Sequence, residues 1–473
     1  VSVPEKTSAG SIRAVVGILV FFELTSGFLQ TSVTPLLPAL GEAHGLADSD
    51  LNWIASVQLL AAAVMVPMFG RLGDLHGHRR MLRIALATMA VGSLLVALAP
   101  NMGVLLFGRV LQGAFAALLP LEIALVRDRL PTDLARRAIA WLVGSLTLGG
   151  LIGMIVMGAA QEAIGNVGTA LLIPAVLAGA CFLLSFFAVP ESRARAQGRA
   201  DWPGLVLLGL AMIAVLAGIS RAGGSGWTSA ATLLPLLGGL VLLAVWVRVE
   251  LRAKDALVDL RAMADRRVAP FYGVSFLFGV VFFGTQTPDT TFLAADPAET
   301  GYGFALTSLS LAAITLPAAV AAVVGAAGTA MIAGRIGYRP ALVASFALIA
   351  LGLLGHAVAH DALWQFIVLK PLIGLGTGVA LGAMPTVIVE GADPSRAGIA
   401  TALYNNVKTV GGSVAGGIVA SILATMALGT VPTESAYVAV WLLCSACSVA
   451  ACVLVLLARR TETAAAPVPA QAS

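Results

Sequence analysis

Apolar positions along this chain fall into long runs, most of them near or above the roughly 20 residues that a helix needs to cross a bilayer. Fourteen such runs can be delimited: 12–38, 51–71, 81–99, 103–126, 138–160, 167–189, 203–220, 231–249, 269–294, 304–331, 340–359, 362–388, 397–426 and 436–457. The polar stretches between them are short. The pattern predicts an all-α polytopic membrane protein with fourteen transmembrane helices. The first run is too long for a signal peptide and lacks a cleavage site, so it is expected to be a retained first helix.

Composition agrees. Of 473 residues, 59% are hydrophobic and 11% charged, against about 25% charged in a soluble domain. Mean hydropathy is +0.96. A soluble enzyme, a disordered chain and a nucleic-acid-binding protein are disfavoured. The four cysteines (Cys181, Cys444, Cys447, Cys452) lie in apolar runs and read as small core residues.

The net charge of +4 is unevenly spread. With the N-terminus inside, the inner loops and tails collect nearly every Lys and Arg, including Arg71, Arg79, Arg80, Arg127, Arg129, Arg193, Arg252, Lys254 and Arg339. The outer loops hold only Arg221. Basic residues accumulate in cytoplasmic loops, so both termini are expected to be cytoplasmic at a cell (inner) membrane. His76 and His78 are expected to be solvated in one of these loops. The tail 461–473 reads as disordered.

An internal repeat divides the chain. Gly77-His78-Arg79-Arg80-Met81-Leu82 corresponds to Gly337-Tyr338-Arg339-Pro340-Ala341-Leu342. Arg109-x-x-x-Gly113 corresponds to Lys370-x-x-x-Gly374, and Thr147-Leu-Gly149-Gly150 to Thr409-Val-Gly411-Gly412. Two six-helix bundles, 1–195 and 263–460, are expected around a two-helix insertion at 196–262.

Charges deep in a bilayer are costly and usually pair or work. At 1.5 Å per residue, Glu23 lies about 16 Å into the first helix, Lys370 and Lys408 about 14 and 16 Å deep, and Arg109 about 10 Å from the outer face. Glu122 sits near the inner face and Asp289 in the outer third of its helix. These six are the candidates for proton coupling or substrate contact. Each has a plainer alternative: a structural ion pair for Glu23, Arg109, Lys370 and Lys408, extension to the interface for Glu122, and a cap or vestibule wall for Asp289. A carboxyl in low dielectric, such as Glu23, can take up and release protons near neutral pH.

No phosphate-binding P-loop and no G-x-S-x-G elbow occurs, so no catalytic residue and no cofactor is expected. His356-x-x-x-His360, followed by Asp361, has metal-pair spacing but no obvious further ligand, and reads as a helix end with no metal.

Gly70-Arg71-Leu72-Gly73-Asp74-Leu75-His76-Gly77-His78-Arg79-Arg80 resembles the signature loop of the major facilitator superfamily, and the chain is most similar to its fourteen-helix drug:proton antiporter group. Arg109-x-x-Gln112-Gly113 and Asn406-x-Lys408-x-x-Gly411-Gly412 resemble two further elements of that group. The resemblance implies an inner gate at Gly70, Asp74, Gly77, Arg79 and Arg80. It also implies a part for Arg109 in proton coupling, a working monomer and efflux of small molecules driven by a proton gradient. Three departures stand out: no proline in Gly153–Gly158, Leu29 and Thr34 where the group often has Asp and Asn, and Gly334 opposite Asp74. The residues alone also admit a uniporter, importer or exporter of an anionic metabolite. A non-transporting receptor on the same fold is a further alternative.

Overall fold

Backbone amides inside a bilayer find no water, so an apolar segment must satisfy its own hydrogen bonds by coiling. The computed structural model describes residues 9–189, 201–226, 228–253, 260–263, 268–391 and 397–458. Within them lie fourteen helices long and apolar enough to span: α1 Val15–His44, α2 Asp50–His76, α3 His78–Ala97, α4 Met102–Arg129, α5 Trp141–Ile164, α6 Val167–Phe187 and α7 Trp202–Ile219; then α8 Ala230–Glu250, α9 Ala269–Ala294, α10 Ser308–Ile336, α11 Tyr338–Val358, α12 Leu363–Ile388, α13 Leu403–Thr425 and α14 Glu434–Leu457.

Local chemistry sets many of the ends. Asn101, Asn166, Ser229 and Thr307 accept hydrogen bonds from the backbone amides three residues on, capping helix starts. Gly45 and Gly165 take left-handed conformations that close helix ends. The helix containing α7 continues to Ser225, so Arg221 lies on its last turns and not in a loop. Only Gly77 separates the helices of α2 and α3. His78 is consequently drawn into the packing, 8% exposed, and is not solvated as expected. The loops carrying Arg193, Lys254, Arg266 and Arg396, and the tail 461–473, lie outside the described residues.

Two apolar cores form. One joins α1 to α6 through residues such as Phe22, Leu86, Leu118, Leu142 and Leu171. The other joins α9 to α14 around Phe278, Phe346, Phe366 and Trp441, and takes in Leu208, Met212 and Trp246 from the α7–α8 hairpin.

The repeat is visible in backbone geometry. Gly77 has φ +99° and Gly337 φ +89°, each at the turn between consecutive helices, a conformation that side chains rarely adopt. A Cβ at Gly27 would lie 1.9 Å from the carbonyl oxygen of Leu146; a Cβ at Gly279 would lie 1.9 Å from that of Lys408. So α1 crosses α5 as closely as α9 crosses α13, and Lys408 occupies the place that Leu146 holds in the first half. Small residues permit such approaches in membranes.

Three spans are interrupted. α1 passes through a 3₁₀ turn at Thr34–Leu36, α4 through one at Gly113–Ala117, and α9 breaks at Thr285. Such breaks free backbone groups and mark working regions of transport proteins.

The halves meet toward the face opposite Gly77. There Tyr437 Oη donates to Asp48 Oδ2 at 2.5 Å, and Ser413 Oγ to the Ser56 carbonyl at 3.4 Å. Thr315 Oγ1 lies 3.1 Å from Met154 Sδ. Gly416 packs directly on Ser56, and Gly158 on the Ser308 carbonyl. A two-residue antiparallel ladder (Ala427 with Pro432, Leu428 with Val431) covers this face, and Tyr302 Oη donates to its Pro432 carbonyl at 2.7 Å.

Candidate functional site

Glu23 on α1 and Glu122 on α4 are brought together as interacting neighbours, 1% and 0% exposed. Their surroundings are Phe22, Leu121 and Leu125 of the first core, with Cys181 bonded to Thr25 Oγ1 at 3.3 Å nearby. Neither oxygen of Glu122, nor Oε2 of Glu23, receives a hydrogen bond from a described donor. Glu122 thus does not extend to the interface, and the neighbour of Glu23 is a second carboxyl, not a cation. Two like charges about 4 Å apart cost on the order of 4 kcal/mol even at an effective dielectric of about 20. A proton shared between the two carboxyls removes that cost and makes the contact a hydrogen bond.

Arg109 is 3% exposed and held by neutral groups. Its Nε donates to the Ile54 carbonyl of α2 at 2.8 Å and its Nη1 to Gln112 Oε1 at 2.8 Å. Gln112 Nε2 in turn donates to Ser93 Oγ of α3 at 3.0 Å. The guanidinium therefore ties three helices together beside the 3₁₀ break of α4.

Asp289 and Lys370 form a buried pair at 2.5 Å between α9 and α12. The second oxygen of Asp289 accepts from Trp441 Nε1 of α14 at 2.9 Å. Asp289 is 8% exposed and neither caps a helix nor lines an open wall. Lys370 is thereby a counter-ion. Trp441, which completes the site, went unmarked in the sequence because an indole in an apolar run looks like any other core residue. His356 is fully buried beside them, its ring 4.7 Å from that of Phe366 and 5.6 Å from that of Trp441.

Lys408 differs. It is half-buried on α13, with its Nζ 5.6 Å from the ring centre of Tyr404 and 6.0 Å from that of Phe282. It makes no hydrogen bond or ion pair with a described residue. Tyr404 is 4% exposed, and its hydroxyl has no partner among the described residues.

At the Gly77 face, Asp74 sits 3.2 Å from His78 Nε2, one turn on in the same half. Gly70 has open space around it, Arg80 is exposed and Arg79 half-buried. At the opposite face, the Nδ1–H of His360 donates to the His356 carbonyl at 2.8 Å, and its Nε2 meets Glu434 Oε1 at 3.0 Å. The two histidines do not converge. His360, Asp361 and Glu434 instead place three possible ligand atoms within 4.8 Å of one another. Asp48 is partly buried nearby, and burial pushes its carboxyl above the ordinary value while the Tyr437 hydrogen bond works against that. Sequence depth could not single out Asp48 or Tyr437, since both stand near a predicted helix start. A shallow groove of about 620 Å³ between α10 and α12, lined by Leu316, Pro317, Val324, Val368 and Leu375, carries no charged or hydrogen-bonding side chain.

Two repeated bundles, interrupted helices and ionisable groups held inside each bundle have a counterpart among known proteins. The family model of the Major Facilitator Superfamily matches residues 19–416. The chain belongs to this superfamily. Its members are transporters, so this chain is a multi-pass membrane transporter and not an enzyme. A probable actinorhodin transporter of Streptomyces coelicolor is 28% identical over 90% of this chain and 77% of that protein. The cephamycin export protein CmcT of Amycolatopsis lactamdurans is 28% identical over 86% of this chain and 84% of its own length. The multidrug efflux pump LfrA of Mycolicibacterium smegmatis is 28% identical over 84% and 76%. Among solved structures, an auto-inhibited peptide transporter of the POT family aligns with a TM-score of 0.68 at 16% identity over 95% of this chain and 98% of that one. The nucleoside transporter NupG aligns with 0.63 at 14% over 95% and 98%. At such identities these two speak for the facilitator fold alone. No cofactor-binding family accompanies the match.

Proposed function

We propose that this facilitator exports hydrophobic or amphipathic small molecules in exchange for protons, by alternating access. The observation that carries the proton half is the Glu23–Glu122 pair. Both carboxyls are buried, their unpartnered oxygens leave a place for one proton, and no cation among the described residues is paired with either. The bundle around the pair is closed, so proton entry and release require rearrangement of α1 against α4, which couples occupancy to conformation. The export half is supported by the relatives, whose names refer to actinorhodin, to export of cephamycin and to multidrug efflux.

In this reading the Gly77 face is cytoplasmic, both termini lie on that side, and the bundles divide near 195 and 262. On that orientation the closed face is the outer one, and Asp74 is satisfied within its own half by His78. In the opposite state Asp74, Arg79 and Arg80 serve the inner gate. The protein works as a monomer and uses the proton gradient as its energy source.

The test is transport by purified protein in liposomes under an imposed pH gradient. Lipophilic cations, neutral antibiotics and organic anions serve as the panel. Substrate should move against the proton flow, and Glu23→Gln should abolish the gradient dependence while leaving monodisperse protein. Movement indifferent to the gradient would refute the antiport.

A further inference from the structure

The deep charges do not balance, and the imbalance sits at one place. Glu23 and Glu122 face each other. Asp289 is matched by Lys370. Arg109 is spent on a backbone carbonyl and an amide. Lys408 remains, with the rings of Tyr404 and Phe282 near its ammonium and no hydrogen bond or ion pair to a described residue.

We propose that Lys408, with Tyr404 and Phe282, binds the acidic group of an aromatic organic anion, so that the exported molecule is an anionic aromatic compound. This rests on the exporter reading and names its substrate class.

Three observations support it independently of one another. First, the fold does not need an ammonium here: Leu146 holds the equivalent place against Gly27 in the first half, where a Cβ on the facing glycine would lie the same 1.9 Å from its carbonyl oxygen. Second, the hydroxyl of Tyr404 is buried without a partner one turn from Lys408. Buried polar groups are nearly always bonded, so a vacant donor beside a vacant cation suits an incoming acceptor. Third, Phe282 and Tyr404 place two ring faces within reach of the ammonium. A substrate ring can pack on them while its carboxylate, sulfonate or phenolate takes a charge-assisted hydrogen bond from Nζ and a second bond from the Tyr404 hydroxyl. An organic cation placed there would meet the ammonium, which no described carboxylate pairs.

Two xanthene dyes of opposite charge serve as probes: fluorescein, an anion, and rhodamine 6G, a cation. Binding is read by fluorescence anisotropy with the purified full chain in nanodiscs at pH 7.5, without any gradient. Fluorescein should bind at least about tenfold tighter than rhodamine 6G, and Lys408→Gln should weaken fluorescein by about tenfold or more, the loss expected for one charge-assisted hydrogen bond. Rhodamine binding should be unchanged in that variant, and Lys408→Arg should restore fluorescein binding. Should Lys408→Gln fail to fold, Tyr404→Phe decides, with a smaller loss confined to fluorescein. Equal or absent binding of both dyes, preference for rhodamine 6G, or undiminished fluorescein binding in the folded variants overturns the assignment. Because no gradient is used, failure of the antiport leaves this result standing, and the reverse also holds.

Discussion

Tyr437 donates its hydroxyl proton to Asp48 across the boundary between the two halves. The contact fastens the start of α14 to the N-terminal end of the α2 helix, at the face where the bundles are closed. One partner titrates, so closure should respond to pH.

Burial raises the Asp48 carboxyl above 3.8, and the Tyr437 bond only partly offsets this. A raised acid supports the closed arrangement fully below its ordinary value and loses that support as pH rises through the shifted one. Acidification of the side opposite Gly77 over this window should therefore favour closure. Pulsed EPR distances between labels at Glu42 and Ser435 should shorten as pH falls, and Asp48→Asn should remove the pH dependence. A pH-independent distance in the unaltered pair would contradict this.

The Asp289–Lys370 pair should behave as a buried ion pair does. Removing one partner strands the other, at about 3–5 kcal/mol. Asp289→Asn or Lys370→Met alone should lower Tm in detergent markedly, and the double variant should recover much of the loss. Additive losses would show that the pair is not the stabilising unit.

Glu23 and Glu122 should act as one site. If a single proton is shared, Glu122→Gln should impair gradient-driven transport about as severely as Glu23→Gln, and the double variant no further. Retained proton-driven transport in Glu122→Gln would separate the two residues and leave Glu23 alone.

Gly27 and Gly70 should respond oppositely to alanine. A Cβ at Gly27 would meet a backbone oxygen, so Gly27→Ala should destabilise by about 1–3 kcal/mol. Gly70 has nothing within 4 Å in this state, so Gly70→Ala should leave Tm unchanged. If the gate role holds, that variant should still slow transport, because the residue would be crowded only in the opposite state. A lowered Tm for Gly70→Ala would contradict the open space.

Much of the architecture is legible in the sequence. The runs located fourteen spans because a bilayer imposes length and apolarity on each crossing locally, residue by residue. Their ends were less accurate: α1 continues to His44, beyond the expected 38, because a 3₁₀ turn carries the chain past Pro35 and Pro38 without ending the helical path. The sequence reads as a loop at Gly77, but the turn there is a single residue and draws His78 into the packing.

What the sequence alone determined is therefore the number of crossings and the place of each charge along its helix, properties of a helix taken singly. What only the tertiary structure decided is which charge faces which. Glu23 and Glu122, or Asp289 with Lys370 and Trp441, come from helices separated by 81 to 152 positions where the sequence marks no pairing. Depth follows from counting along one helix. Partnership follows from the rotation and crossing of several, set by where small residues such as Gly27 and Gly279 let backbones touch. That packing leaves Lys370 neutralised and Lys408 vacant, although both lie at nearly the same depth in the chain's own pattern.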